Sequence, residues 1–331
     1  MQPVKAAGYV IRNLILAGIA SASLLTAVSS LAGEPGALLS SMKGAAEEKS
    51  YHGDFVYERA GSFSTHRVWR QASGDDVVER LLRTDGAPQE WVRRNHKLVC
   101  TSTVAGATAL LDNTLLSDNP AAIEQWYELE ILGASRVANR SATVLSVRPR
   151  DHFRYAYEFY LDVDSGLLLQ SLMINEKGAL LERFQFTNLQ VGPVAPASLE
   201  AASSCMPARE ASFSALPADH RWLPAWLPPG FTSIASNKRQ ANGNDVTRST
   251  QVFSDGLARF TIFVEPLTEN RVAEDLLAQL GPTVAISRGL NTSEGNFMAT
   301  VVGEIPPVTA RRVAASISLN FDSEAHIEAL P

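Results

Sequence analysis

Hydrophobic and polar residues follow two different periods along the first part of the chain. Between residues 35 and 49, Leu38, Leu39, Met42 and Ala46 recur at the spacing of one helix face. This spacing predicts an amphipathic helix that opens the folded chain.

From residue 51 the period changes to two, because Tyr51, Phe55 and Tyr57 alternate with polar neighbours. A turn at residues 59–62 and a returning segment at 63–70 predict a β-hairpin. Turn residues separate further short strands, predicted at 77–83, 90–93, 97–101, 143–148, 155–161, 167–175 and 180–189, with a helical insertion at 119–131. Successive antiparallel strands with few helices predict an α+β fold built on a strongly curved antiparallel sheet or open β-barrel.

The composition changes over residues 192–218, where four prolines lie among alanine, serine and glycine. This composition is typical of a linker, so we expect a first domain at residues 33–191 and a smaller α+β domain at residues 219–331. Within the second domain the pattern predicts strands near 231–238, 246–253, 257–265, 282–288 and 296–303, and helices at 269–280 and 307–319.

The N-terminus has the pattern of a secretory signal peptide. Lys5 and Arg12 precede an apolar stretch at residues 14–28, and Ser30 and Ala32 supply small residues at a cleavage site. The apolar stretch is short for a membrane span, which needs roughly 20 residues. We therefore expect residues 1–32 to be a signal peptide that is cleaved after Ala32; an uncleaved membrane anchor is the alternative.

Net charge and cysteine content bear on which partners and which compartment the protein can have. The full chain has a net charge of −6, and loss of two basic residues with the signal peptide lowers it to about −8. An acidic chain without a basic patch argues against nucleic-acid binding. Cys100 and Cys205 could pair in an oxidising compartment, but Cys205 lies in the predicted linker, which favours two isolated cysteines.

No catalytic or cofactor motif is recognisable. The chain has no nucleophile elbow, no zinc-protease motif, no phosphate-binding loop and no dinucleotide fingerprint, and its six histidines lack metal-ligand spacing. The sequence thus predicts a protein that is not an enzyme and that uses neither a metal nor a cofactor.

Aromatic residues recur on one parity of the first hairpin and again on the later strands. A curved sheet with an aromatic face can enclose an apolar ligand, although an ordinary sheet core explains any single ring equally well. The candidate lipid-binding residues are Phe55, Tyr57, Phe63, Trp69, Tyr157, Phe159, Phe184 and Phe186.

Several short motifs, in this order, resemble those of the MucB/RseB family. In the first domain they are the hairpin at 51–66, Trp126–Leu129, Ser135–Ala138, Pro149–Tyr155 and Asn175–Thr187; in the second they are Trp226–Phe231, Ser254–Phe260 and Val302–Pro307. They span nearly all of the expected mature chain and fit the MucB branch better than the RseB branch. Asn139 replaces an expected turn glycine, and asparagine tolerates the left-handed conformation that such a turn requires.

The resemblance implies a first domain similar to LolA and LolB and a regulatory role in the periplasm. Members of the family bind the periplasmic region of an anti-sigma factor of the RseA/MucA type and block its regulated proteolysis, so that the envelope-stress sigma factor stays inactive. Lipopolysaccharide or a related lipid would bind the first domain and release the partner.

Two other classes of function stay open at this point. A LolA-like domain alone would suit a periplasmic lipid or lipoprotein carrier, but this hypothesis leaves the second domain unexplained. A hydrolase with an unrecognised site is a weaker hypothesis, since it rests only on scattered acids and histidines. The sequence also leaves a homo-oligomer open.

Overall fold

The computed structural model describes residues 34–102, 120–208, 214–216, 222–240, 247–267 and 275–319. The signal peptide predicted at residues 1–32 lies outside these residues. Among the described residues, no helix has the length and hydrophobicity needed to span a membrane.

An 11-stranded antiparallel sheet, here called the N-terminal sheet, forms the larger part of the fold. Its spatial order is β11-β5-β4-β3-β2-β1-β10-β9-β8-β7-β6, so β11 and β6 form two separate edges and the sheet is open. The strands are β1 (Tyr51–Arg59), β2 (Ser62–Ser73), β3 (Asp76–Arg83), β4 (Gln89–Arg94), β5 (Lys97–Thr101), β6 (Tyr127–Val137), β7 (Arg140–Pro149), β8 (Ala156–Asp162), β9 (Leu168–Ile174), β10 (Leu180–Val191) and β11 (Met206–Pro207).

Tight turns set the strand register of this sheet. Ala60 and Gly61 both have positive φ, 52° and 74°, and form a two-residue turn that pairs Arg59 with Ser62. Ala138 and Asn139 form a similar turn between β6 and β7, with φ values of 50° and 64°. Asparagine is therefore accommodated at the position where the family resemblance predicts glycine.

Helix α1 (Pro35–Glu48) covers one face of the N-terminal sheet, called the inner face below. Leu39, Met42 and Ala45 are buried on the sheet side of this helix, as helical spacing requires. Leu39 and Met42 pack with Leu145 of β7, and Ala45 packs in the cluster that contains Phe55 of β1. A 3-10 helix at Pro120–Gln125 adds Ile123 to the same core.

A seven-stranded antiparallel sheet, the C-terminal sheet, follows along the chain in the order β12-β14-β15-β16-β19-β18-β17. Helix α2 (Pro307–Ala315) packs on it, and β13 and β20 form a separate two-stranded pair. The strands are β12 (Ser214–Leu216), β13 (Trp222–Pro224), β14 (Thr232–Gln240), β15 (Thr247–Ser254), β16 (Arg259–Pro266), β17 (Leu276–Leu280), β18 (Thr283–Thr292), β19 (Gly295–Gly303) and β20 (Ile317–Leu319).

The expected helix at residues 269–280 is wrong over its described part, because residues 276–280 form strand β17. Residues 269–274 lie outside the described part of the chain. A two-residue turn, Gly281–Pro282, returns β17 onto β18, and an edge strand exposed on both faces has no alternating pattern to distinguish it from a helix. The helix expected at 307–319 ends at Ala315, and β20 follows it.

The first half of the predicted linker packs on the N-terminal sheet. A 3-10 helix at Pro196–Leu199 is followed by β11, which pairs with β5 and brings Cys205 beside Cys100. The two cysteines form a disulfide, so the expectation of isolated cysteines is wrong. The domain boundaries at residues 191 and 219 stay predictions. The α+β class and the open antiparallel sheet are confirmed.

Candidate functional site

Six of the eight candidate lipid-binding residues share the inner face of the N-terminal sheet. Phe55 pairs with Phe186 across β1 and β10, and Tyr57 pairs with Phe184. Phe184 and Phe159 both lie opposite Ser171 of β9, so the two rings share one face of the sheet. Tyr157 lies two residues before Phe159 in β8 and therefore points to the same face. The sequence therefore identified one coherent aromatic surface.

Phe63 and Trp69 lie on the opposite face, so their assignment to the aromatic surface is wrong. The two-residue turn pairs Phe63 with Glu58 and Trp69 with His52, so odd-numbered residues of β2 share a face with even-numbered residues of β1. Phe63 is 58% exposed, and Trp69 lies under the guanidinium of Arg80 at 4.9 Å.

The six inner rings fall into two packed groups, one with Phe55, Tyr57, Phe184 and Phe186 and one with Tyr157 and Phe159. Phe55, Phe159, Phe186 and Tyr157 are all at most 5% exposed. Ring centroids lie 4.9 Å apart for Phe55 and Phe184, 5.1 Å for Phe184 and Phe186, and 5.6 Å for Tyr157 and Phe159. In this conformation the rings form the core beneath α1, and an apolar ligand would have to displace packed side chains to reach them.

His66 is a buried polar residue of this face that sequence reasoning missed. Its ring stacks on Phe55 at 5.0 Å, its Nε2 lies 2.9 Å from the Ser64 hydroxyl, and its Nδ1 has no hydrogen-bond partner. Burial, with a smaller contribution from the positive charge of Arg83, lowers the pKa of His66 to about 4. The correct hairpin register would have found this residue, because it pairs with Phe55.

A polar cluster at one end of the inner face reaches the C-terminal sheet. The Tyr57 hydroxyl donates to Glu182 at 2.6 Å, and Arg59 binds the same carboxylate at 2.6 Å. Arg59 also binds Glu304, which follows β19, at 2.8 Å. Burial and the nearby Glu182 raise the pKa of Glu304, and Arg59 opposes this change.

A second and fully buried ion pair joins the two sheets. Arg154 and Asp255 are both 0% exposed in their side chains and lie 2.7 Å apart. Arg154 also binds Asp151 at 3.0 Å and donates to the carbonyl oxygen of Pro229. Its guanidinium lies 5.2 Å from the centre of the Phe231 ring. Arg154, in the connection between β7 and β8, thus binds two separate segments of the second domain.

The turn between β15 and β16 inserts into the core of the N-terminal sheet. Asp255 shapes this turn by accepting the backbone N–H groups of Leu257 at 2.9 Å and Ala258 at 2.7 Å. Its other oxygen accepts the hydroxyl of Tyr127 at 3.0 Å, and Leu257 is buried in the cluster around that tyrosine. Burial raises the pKa of Asp255, and Arg154 counteracts this change.

Aromatic contacts complete the junction. Gly230 has a φ of +85°, and a Cβ at this position would lie 2.3 Å from the ring of Trp126. Only glycine can occupy position 230 without moving Trp126. Arg312 of α2 lies 3.9 Å from the centre of the Trp226 ring, and Trp226 packs on Phe153 at 5.3 Å.

Seven of the short motifs noted in the sequence meet at this junction. They are the segments 51–66, 126–129, 149–155, 175–187, 226–231, 254–260 and 302–307. Sequence reasoning found the motifs but not their meeting point, because the ion pairs join residues 101 and 245 positions apart. Their shared role is to hold the two sheets together.

Two family profiles match the chain. Residues 34–210 match the MucB/RseB N-terminal domain, and residues 217–318 match the MucB/RseB C-terminal domain. The sigma factor AlgU regulatory protein MucB of Pseudomonas aeruginosa is 44% identical over 89% of this chain and 94% of its own length. The sigma-E factor regulatory protein RseB of Escherichia coli K12 is 27% identical over 89% of this chain and 93% of its own length.

The fold is also similar to that of the MucB chain in a solved complex. The crystal structure of MucB in complex with MucA(peri) has 43% sequence identity and a TM-score of 0.73, covering 87% of this chain and 99% of that chain. The greater similarity to MucB than to RseB confirms the branch predicted from the motifs. The chain belongs to the MucB/RseB family of sigma factor regulatory proteins.

Proposed function

We propose that the chain binds the periplasmic region of an anti-sigma factor of the MucA/RseA type. Bound there, it protects that region from regulated proteolysis and keeps the envelope-stress sigma factor inactive. The observation that carries this proposal is the match to MucB in its complex with MucA(peri), which extends over 99% of that chain and therefore includes both sheets.

The site of action is the periplasm. The basic residues, apolar stretch and small residues of positions 1–32 form the export signal, and cleavage follows Ala32. The disulfide between Cys100 and Cys205 fits an oxidising compartment, where such bonds persist.

The protein acts by binding, without turnover. The most deeply buried ionisable side chains of the junction, Arg154 and Asp255, are engaged with each other and with backbone groups. Within the described ranges, no group of three or more histidine, cysteine, aspartate or glutamate side chains is placed to hold a metal ion. The relatives are regulatory proteins, which fits a role in occupying a partner.

Lipid binding on the inner face supplies the release signal. The acyl chains would contact the six inner rings, which are Phe55, Tyr57, Tyr157, Phe159, Phe184 and Phe186. Because α1 covers this face, the helix must move to admit the acyl chains. The lipid-bound conformation therefore differs from the packed one. If the partner prefers the packed conformation, lipid weakens partner binding by the same factor by which the partner weakens lipid binding.

The direct test is a titration of residues 33–331 with the periplasmic region of the cognate anti-sigma factor, with and without lipopolysaccharide. We expect saturable binding that lipopolysaccharide weakens. Absence of binding in both conditions would refute the partner. Binding that lipopolysaccharide leaves unchanged would refute only the lipid switch.

A matched pair of variants locates the lipid. Phe184→Leu alters a ring of the inner face, whereas Phe63→Leu makes the same change at an exposed ring on the opposite face. We expect Phe184→Leu to change lipopolysaccharide affinity and Phe63→Leu to leave it unchanged. Equal effects of the two would contradict binding at the inner face.

A further inference from the structure

Strand β17 is an exposed edge of the C-terminal sheet. All five of its residues are exposed, including Leu276 at 60%, Leu277 at 52% and Leu280 at 61%. It pairs with β18 on one side, and no strand of the described residues pairs with its other side. Proteins usually shield such an edge with charges or prolines, and β17 contains neither.

The turn after β17 determines which backbone groups face outward. Gly281 and Pro282 form a two-residue turn, so Leu280 and Thr283 are a hydrogen-bonded pair. Because hydrogen bonding alternates along an antiparallel strand, Leu277 and Gln279 direct their backbone N–H and C=O groups away from β18. These two residues provide the donors and acceptors for one more strand.

A groove of about 420 Å³ runs between β17, β18 and helix α2. Leu277, Ile286 and Ala314 give it apolar walls. Among the described residues that line it, Arg288 and Arg311 supply two positive charges against the one carboxylate of Asp275. Arg288 donates to the carbonyl oxygen of Ala315 at 2.9 Å. Among the described residues, no carboxylate forms an ion pair with either arginine. The groove thus has an excess of positive charge beside an apolar strand.

The end of β17 lies at the junction between the two sheets. A Cβ placed on Gly281 would lie 2.7 Å from Cγ of Arg59 and 3.1 Å from the carbonyl oxygen of Leu181. A segment that lies along β17 would therefore reach the N-terminal sheet at the end of β1 and the start of β10.

We propose that the β17 edge binds an extended, acidic and apolar segment of the partner by strand addition. The inference rests on the proposed function and names the part of this chain that receives the anti-sigma factor. Backbone hydrogen bonds to Leu277 and Gln279 supply affinity. An apolar side chain of the segment enters the groove, and a carboxylate binds Arg311 and Arg288.

Two other occupants fit the edge less well. A lipid acyl chain would cover the leucines but leave the outward backbone groups of β17 without hydrogen bonds. A second copy of this chain, paired through its own β17, would contribute no acidic residue from that strand to the two arginines. An acidic peptide satisfies the backbone, the apolar wall and the charge together.

The test combines hydrogen exchange with three variants of the full mature chain. Upon saturation with the anti-sigma periplasmic region, we expect the amides of Leu277 and Gln279 to become protected. Arg311→Glu and Leu277→Asp should each weaken binding at least tenfold, since both oppose an acidic, apolar segment. Val308→Glu adds a negative charge at an exposed position of the same helix outside the groove and should leave affinity within about twofold.

The outcomes separate this inference from the proposed function. Binding by the unaltered chain without protection at residues 276–280, and without loss in Arg311→Glu, would overturn strand addition and keep the partner. No binding by the unaltered chain would overturn the partner itself, and with it the strand addition. Protection that rises with protein concentration in the absence of partner would assign the edge to self-association and refute the inference.

Discussion

Replacing Arg154 with methionine keeps much of the side-chain volume but removes the charge that joins the two sheets. The substitution deletes the 2.7 Å ion pair with Asp255, the 3.0 Å ion pair with Asp151 and the hydrogen bond to Pro229. It leaves the Asp255 carboxylate fully buried, and among the described residues Tyr127 and two backbone N–H groups then stabilise its charge. Breaking a buried ion pair by removing one partner costs about 3–5 kcal/mol.

Chemical denaturation followed by tryptophan fluorescence measures this loss, because Trp126 lies against the Arg154 guanidinium. We expect Arg154→Met to lower the free energy of unfolding by about 3–5 kcal/mol. Asp255→Asn keeps the shape and the contact with Tyr127, so it should cost less, about 1–3 kcal/mol. The double variant should cost less than the sum of the two, since both substitutions remove the same interaction.

Arg94→Met is the matched control, because Arg94 forms an ion pair with Asp76 at the surface, where both side chains are more than half exposed. Its loss should change stability by less than about 1 kcal/mol. An Arg154→Met loss as small as that of the control, or strict additivity with Asp255→Asn, would refute the claim that this pair holds the junction.

Three further predictions follow from the inner face and the junction. Because the pKa of His66 is about 4 in the folded chain and 6.5 when unperturbed, its contribution to stability is complete above pH 6.5 and is lost as the pH falls towards 4. Urea unfolding at pH 7 and pH 4.5 should show a fall of up to about 3 kcal/mol that His66→Phe reduces, and an unchanged fall in the variant would contradict this role. Gly230→Ala should destabilise by more than the roughly 1–3 kcal/mol of backbone strain, since Trp126 must also move, whereas Gly178→Ala, with a similar φ and open space around it, should show the strain alone. Equal losses in the two glycine variants, measured by thermal unfolding, would exclude the contact with Trp126. Phe55→Ala should cost about 3–5 kcal/mol as a buried core ring, whereas Phe63→Ala on the exposed face should change stability by less than about 0.5 kcal/mol; similar melting temperatures for both would contradict the assigned faces.

Local patterns predicted most strands of the N-terminal sheet, because half-buried strands alternate between apolar and polar residues and this alternation is visible in the sequence. The face of Phe63 and Trp69 could not be read from parity alone. A turn with two central residues pairs positions whose numbers add up to 121, so parity reverses between β1 and β2. A single turn length therefore decides which rings share a face.

Strand β17 and the junction were harder to predict from the sequence, for different physical reasons. Leu276, Leu277 and Leu280 fit the spacing of a helix face, and an edge strand exposed on both sides gives no competing alternation. The pairs Arg154–Asp255 and Arg59–Glu304 join distant parts of the chain, so no local period reports them. In the sequence these pairs appear only as parts of the short motifs. The motifs indicate the family but do not reveal that they contact one another in the fold.

Adjacent contacts connect the inner aromatic face to the edge that we propose for the partner. The Tyr57 ring belongs to that face, its hydroxyl binds Glu182, Glu182 binds Arg59, and Arg59 lies against Gly281 at the end of β17. Proximity alone does not demonstrate coupling, so the path needs a variant that keeps both ends and removes one link. Tyr57→Phe does this, because it retains the ring and loses the hydrogen bond to Glu182. We expect partner affinity without lipid to stay within about threefold and the weakening by lipopolysaccharide to become smaller, because a coupling free energy is carried by the contacts that differ between the two states. A variant in which lipopolysaccharide still weakens partner binding to the full extent would show that the signal reaches the partner by another route, with the Arg154–Asp255 pair the next to test.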